Sequence, residues 1–195
     1  MEFKVPVPPG GQYIYYPGSS PIPERSAANT HAVSFKVLAD VVVESATRGV
    51  IFAHGHRFGG HALYVKDGTV KYAYNFLGIG TPQVLEAPLP PPGRHLIGVD
   101  FAKEGSGEHG ESFGTATLYV NDEPIMGKEI RTMSGHFSCC GEGLCVGYDS
   151  SDPVTTDYPY RFEYAGGEIV KVVFDIADDA YIDVERPFAA AVARD

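Results

Sequence analysis

The chain has 195 residues, with 25 Asp and Glu against 15 Lys and Arg and a formal net charge of −10. That balance argues against nucleic acid and anionic membrane as partners, since both need a basic footprint, and no apolar run approaches the ~20 residues of a membrane span. The length suits one domain whose core stands without disulfide staples, and residues 1–12 lack a signal-peptide core, giving a cytoplasmic expectation.

Residues 1–30 are a Pro/Gly-rich extended lead-in or linker, with Pro6, Pro8, Pro9, Pro17, Pro21 and Pro23 excluding long regular elements. Residues 12–16 are a candidate for one short edge strand. Residues 31–185 are the expected folded domain. Over 31–44, Val33, Phe35, Val37, Ala39, Val41 and Val43 fall on one face and Ser34, Lys36, Asp40 and Glu44 on the other, with Leu38 and Val42 as exceptions. Residues 49–78 hold the densest pattern. Val50, Phe52 and His54 alternate with Ile51 and Ala53, and Gly59-Gly60 reads as a break. His61, Leu63 and Val65 then alternate with Ala62, Tyr64 and Lys66. Asp67-Gly68 signals a hairpin, with Val70, Tyr72, Tyr74 and Phe76 on the return strand.

Residues 83–87 form a short strand candidate before the proline-rich loop at 88–93. His95, Ile97, Val99 and Phe101 alternate next, and 103–111 reads as a solvated loop. Ala116, Leu118 and Val120 lead into a turn at Asn121-Asp122-Glu123, with a return strand to Ile130. Leu144, Val146 and Tyr148 make a compact strand before the polar loop 149–153, and Val170, Val172 and Phe174 mark a last long one. Residues 186–195 are a tail with room for one helical turn. Roughly a dozen strands without intervening helices predict an all-β, antiparallel two-sheet β-sandwich of jelly-roll type.

Several side-chain groups carry candidate chemistry. His54, His56 and His61 have the spacing of a metal site, but the local glycines and the lack of a carboxylate favour core or rim histidines. Arg57, Phe58 and His61 offer a contact to a carboxylate, a sulfate or sugar hydroxyls, set against an ion pair of Arg57 with one of the many acids. Tyr72, Tyr74 and Asn75, with Tyr148 and Asp149, are candidates for a sugar-stacking sheet face, against the simpler reading of core aromatics. Asp149, Ser150, Asp152 and Asp157 form an oxygen-rich loop in which Asp149 and Asp152 are candidate calcium ligands; backbone capping is the favoured alternative, so no metal or cofactor is assigned. Cys139, Cys140 and Cys145 have no usual zinc spacing and read as reduced, structural thiols. Asp183 and Glu185 are the nearest approach to a glycosidase carboxylate pair, without a third acid at Tyr181. The chain thus assembles no catalytic constellation of its own.

Residues 48–79, RGVIFAHGHRFGGHALYVKDGTVKYAYNFLGI, resemble the C-terminal β-sandwich domain of bacterial, notably actinobacterial, arylsulfatases. The likeness extends through Tyr15-Tyr16-Pro17-Gly18, Pro21-Ile22-Pro23-Glu24, residues 141–154 and residues 166–175. The resemblance implies a concanavalin A-like, laminin G-like module appended to a sulfatase. Its partners would be the sulfatase catalytic domain or further copies of itself, with a glycan as the alternative. Sulfatase chemistry needs a Cys or Ser in C/S-x-P-x-R, converted to formylglycine in an α/β domain holding calcium. The only echo here, Pro21-Ile22-Pro23-Glu24-Arg25, has Pro21 at the nucleophile's place, so no catalytic residue carries over.

Overall fold

The two longest alternating stretches fold as one continuous strand of 22 residues, Phe35–His56. A computed structural model describes residues 11–19, 21–134, 143–150 and 152–176 of the chain. Its strands are β1 (Gln12–Tyr15), β2 (Phe35–His56), β3 (Gly59–Lys66), β4 (Thr69–Asn75), β5 (Gln83–Pro88), β6 (Gly93–Ser106), β7 (Ser112–Val120), β8 (Glu123–Thr132), β9 (Leu144–Val146) and β10 (Ala165–Ile176). Among the described residues the only helical element is one 3-10 turn, Glu24–Ser26.

β2 belongs to both sheets. Its first half, to Val43, pairs with β10 on one side and β6 on the other, in a sheet ordered β1-β10-β2-β6-β7-β8. Its second half, from Gly49, pairs with β3 and β9, in a sheet ordered β9-β2-β3-β4-β5. Every pairing is antiparallel, as the sequence pattern predicts. The bend between the halves is pinned by Thr47, whose hydroxyl accepts the Glu44 N–H at 2.7 Å and donates to the Gly166 carbonyl. The sequence reading places separate strands on either side of this polar stretch; the strand instead continues through it.

The inner faces of the two sheets meet in one core. Phe35, Val37, Ala39 and Val41 of β2 face Leu63, Tyr72, Tyr74 and Leu85 of the other sheet, joined by Ile97, Val99, Leu118, Val172 and Phe174. Each valine, leucine, isoleucine or phenylalanine among them contributes about 1.5–3 kcal/mol on leaving water. The outer face of the β2-β3-β4 sheet is also covered. Val50, Ala53, Ala62, Tyr64 and Ala73 pack against Val154 and Tyr158 of the segment that follows β9. A bulge at Ile51 turns Ile51 and Phe52 both into the main core, breaking the strict alternation expected there. On the outer face of the other sheet, buried Lys36 lies across from Asp100 and Asp175, and buried Asp40 across from Lys171. Arg94 closes on Asp40 with two bonds of 2.8 and 2.5 Å. Opposite charges across neighbouring strands stabilise such a face. Leu38, an exception to the pattern of 31–44, packs there on Val173.

Turn chemistry follows the sequence. Asp67 and Gly68 have φ of 51° and 72°, and Asn121 and Asp122 of 51° and 65°, the positive pairs that two-residue hairpins require. Two loop assignments change. β6 continues to Ser106, leaving only 107–111 as the solvated turn. Gly59 and Gly60 are not a break: they pair with His56 and Gly55 inside a hairpin whose tip is Arg57-Phe58. The free edges β5 and β8 are stitched by Gln83, whose amide satisfies both the carbonyl and the N–H of Arg131 at 2.8 Å each. Cys145 is a buried thiol in β9, in line with its apolar pattern. Cys139, Cys140, Asp183, Glu185 and the tail 186–195 lie outside the described residues.

Candidate functional site

The residues singled out by sequence separate into three places. His61 stands on the inner face of β3, 2% exposed, with its Nδ1 at 2.9 Å from the Tyr72 hydroxyl and Nε2 at 3.4 Å from that of Thr30. The rings of Phe35, Phe52 and Phe174 surround it. It therefore cannot meet an external ligand, which corrects the expected contact. Tyr74 is 1% exposed, and its hydroxyl takes the Met133 N–H at 2.9 Å. With Tyr72 also buried, these tyrosines are core residues and line no sugar-stacking face. His54 neighbours His61 at 5.9 Å between rings, and neither of its nitrogens has a hydrogen-bond partner among the described residues. Burial, reinforced by His31 and opposed by Glu24, lowers the His54 pKa to about 4; burial and the neighbouring histidines lower that of His61 as well. No cluster of three or more His, Cys, Asp or Glu with metal-holding geometry occurs among the described residues.

The second place is the β2–β3 hairpin tip. Arg57 projects there, pairs with Asp152 at 3.0 Å and lies 4.8 Å over the ring of Phe58, which is 60% exposed. The ion pair is the plainer of the two sequence readings for Arg57. Asn75 is buried and offers nothing to solvent. Its Nδ2 donates to the carbonyls of Arg57 and Val154 at 2.9 and 2.8 Å, and its Oδ1 accepts the Gly78 N–H at 2.9 Å. One amide thus holds three loops together. Asp149 is buried too, accepting the Val154 N–H at 3.0 Å and the Tyr158 hydroxyl at 2.6 Å. That is the backbone-capping role. Asp149 and Asp152 therefore serve different partners, one inside and one at the tip.

The last carboxylate of the oxygen-rich group, not itself a calcium candidate, fixes the same segment. Asp157 accepts the Tyr64 hydroxyl at 2.8 Å, Lys66 Nζ at 2.7 Å and Lys71 Nζ at 3.1 Å. Burial alone would raise its pKa, but bonds from Lys66, Tyr64 and Lys71 outweigh that and bring it to about 2. Asp157→Ala should lower stability by about 1–2 kcal/mol, allowing for solvent screening of a partly exposed group. Because the carboxyl binds its proton near 3.8 when unfolded and near 2 when folded, this contribution is present above pH 4 and fades as pH falls towards 2. Urea unfolding of both proteins at pH 7 and pH 3 measures it: the difference should shrink at the lower pH.

The third place is a cleft of about 620 Å³ between the N-terminal lead-in, the end of β9 and the start of β10. Tyr148, Arg161, Glu163, Tyr164 and Glu168 line it, together with Pro17, Ser19 and Pro21 of the lead-in. Arg161 lies 4.9 Å over the Tyr148 ring and is clamped by Glu163 through bonds of 2.9 and 2.7 Å. Arg161 and Phe162 have φ of 65° and 21°, uncommon for side-chain-bearing residues. The segment is held in that shape by Asp149 N–H to the Arg161 carbonyl at 3.2 Å and Tyr164 N–H to the Gly147 carbonyl at 2.8 Å. Of the sequence candidates only Tyr148 lies here. The signal for Arg161, Glu163 and Tyr164 is the run Tyr160-Arg161-Phe162-Glu163-Tyr164, where aromatic and charged residues alternate.

The two-layer antiparallel architecture is a β-sandwich of jelly-roll type, a fold shared with laminin G-like domains and a carbohydrate-binding module. Domains LG4-5 of the mouse laminin alpha1 chain superpose with a TM-score of 0.50 at 12% identity, over 86% of this chain and 40% of that one. The CBM40 module of the Ruminococcus gnavus IT-sialidase superposes with a TM-score of 0.50 at 14% identity, over 86% of this chain and 94% of that one. The chain thus spans well under half of the laminin structure and nearly all of the CBM40 module. No protein-family model and no curated protein sequence matches the chain. At these identities the likeness establishes the fold.

Proposed function

We propose that the chain is a non-catalytic accessory β-sandwich domain of an arylsulfatase-type sulfuric ester hydrolase, packing on its catalytic domain or assembling copies of it. The observation that carries this reading is where the family-like segments go. Tyr15 pairs with Val172, Ile22 exchanges backbone bonds of 2.9 and 2.8 Å with Leu144, and the Tyr148 hydroxyl reaches the Ser19 carbonyl at 3.5 Å. Segments far apart in sequence, each with a resemblance to the same type of domain, are therefore built into one another. A catalytic domain joined to this lead-in would be held against one side of the sandwich. The test is to fuse the chain to an arylsulfatase catalytic domain and measure melting temperature, assembly state and turnover of p-nitrophenyl sulfate. A raised melting temperature or altered assembly supports the reading; no change in all three overturns it.

A second reading, a carbohydrate-binding module, is favoured by a different observation. The Tyr148–Arg161–Glu163 cleft combines an aromatic ring, a fixed guanidinium and carboxylates, the mixture that sugar hydroxyls recognise. A glycan array decides it, since the absence of binding to every member overturns it.

A further inference from the structure

We infer that the Tyr148–Arg161 cleft is a preorganised site for a neutral saccharide, and that it discriminates against sulfated ones. The inference rests on the carbohydrate-binding reading and goes beyond it in naming the place and the ligand charge. Three observations carry it.

The first is shape. A concavity of about 620 Å³ falls within the usual range of small-ligand sites, and it lies apart from the Arg57 hairpin tip. The second is rigidity. The Arg161 guanidinium, though 49% exposed, lies over the Tyr148 ring and makes two bonds to Glu163, contacts that lower the cost of ordering it for a ligand. The positive φ values at Arg161 and Phe162 impose this geometry through the backbone, and such outliers collect at binding sites. The third is charge. The lining residues carry one guanidinium against the two carboxylates of Glu163 and Glu168, in a chain of net charge −10. Carboxylates accept hydroxyl protons and the guanidinium donates to ring or hydroxyl oxygens, which matches vicinal hydroxyls. A sulfate ester would meet excess negative charge with its one cation already paired.

The experiment is an array of glucan, xylan, mannan and galactan hexasaccharides printed beside their sulfated forms, followed by calorimetry on the strongest binder. The proteins are the wild type, Tyr148→Ala, Arg161→Gln and Arg57→Ala, each checked for an unchanged unfolding transition. Glu163→Gln replaces Tyr148→Ala if that variant does not fold. The expected result is binding of a neutral member, at least about tenfold weaker for its sulfated form. Binding should fall by about tenfold or more in Tyr148→Ala or Arg161→Gln and stay unchanged in Arg57→Ala. Preference for the sulfated form, or loss with Arg57→Ala alone, overturns this inference while leaving the carbohydrate-binding reading intact. Failure of every glycan to bind overturns both.

Discussion

Gly60→Ala should destabilise the protein by about 3–5 kcal/mol, from backbone strain and enforced overlap together. Gly60 has φ of 141°, and a Cβ placed on it would stand 2.2 Å from the His54 carbonyl oxygen and 2.8 Å from the Gly55 Cα. Its strand partner is equally confined, since a Cβ on Gly55 would stand 2.2 Å from the Gly59 carbonyl oxygen. Both obstacles are backbone, so no rotamer change relieves them. The hairpin that carries Arg57 and positions His54 and His61 depends on two bare backbones crossing at this point. Gly68→Ala is the internal control. Its φ of 72° has the same sign, but nothing lies within 4 Å of the added carbon, so only the left-handed conformation is penalised, at about 1 kcal/mol. Urea midpoints of the two variants should differ severalfold in their displacement from wild type. Equal displacement would show that conformation, not contact, governs the site.

The second large effect is with acid. His54 lies within the main core without a hydrogen-bond partner among the described residues, and burial holds its pKa at about 4 against 6.5 for a free imidazole. The unfolded chain therefore takes up this proton near pH 6.5 and the folded chain only near pH 4. Its stability contribution is complete above pH 6.5 and is lost as the pH falls to 4, a loss of about 3 kcal/mol from this one ring. His61, lowered in the same direction, adds to the loss. His54→Leu removes the titration and leaves no buried partner unsatisfied, so it should be near neutral at pH 7.5 and more stable than wild type at pH 5. Denaturant midpoints across pH 4–8 test this; parallel curves for the two proteins would exclude the ring as the source.

The architecture was readable because period-2 alternation is a local property, and the positive-φ turns at Asp67-Gly68 and Asn121-Asp122 are local too. The continuity of β2 was not readable. Glu44, Ser45, Thr47 and Arg48 look like a polar gap, and only the change of strand partners, from β6 and β10 to β3 and β9, reveals that the strand persists. The same limit explains the binding residues. A histidine on an alternating strand reads alike whether its face meets water or core, and what internalises His61 is a tyrosine 11 residues away and a threonine 31 away. Asn75 and Asp149 are polar residues whose partners come from loops brought together only by folding. Arg57 was correctly open to an ion pair, but its partner Asp152 is fixed by tertiary placement. The cleft around Arg161 depends on the lead-in folding back against β9, a juxtaposition that no spacing rule encodes.

The strand shared by the two sheets also has a consequence for synthesis. β2 leaves the ribosome well before β10, which completes one of its edges with residues made more than a hundred positions later. At bacterial or eukaryotic elongation rates of roughly 5–20 residues per second, that edge waits on the order of ten seconds for its partner. During that interval a long, valine-rich strand has open backbone groups, the condition under which nascent chains pair with one another. Slow translation between β8 and β10, or loss of a holding chaperone, should therefore reduce soluble yield more sharply than the folded protein's stability would suggest.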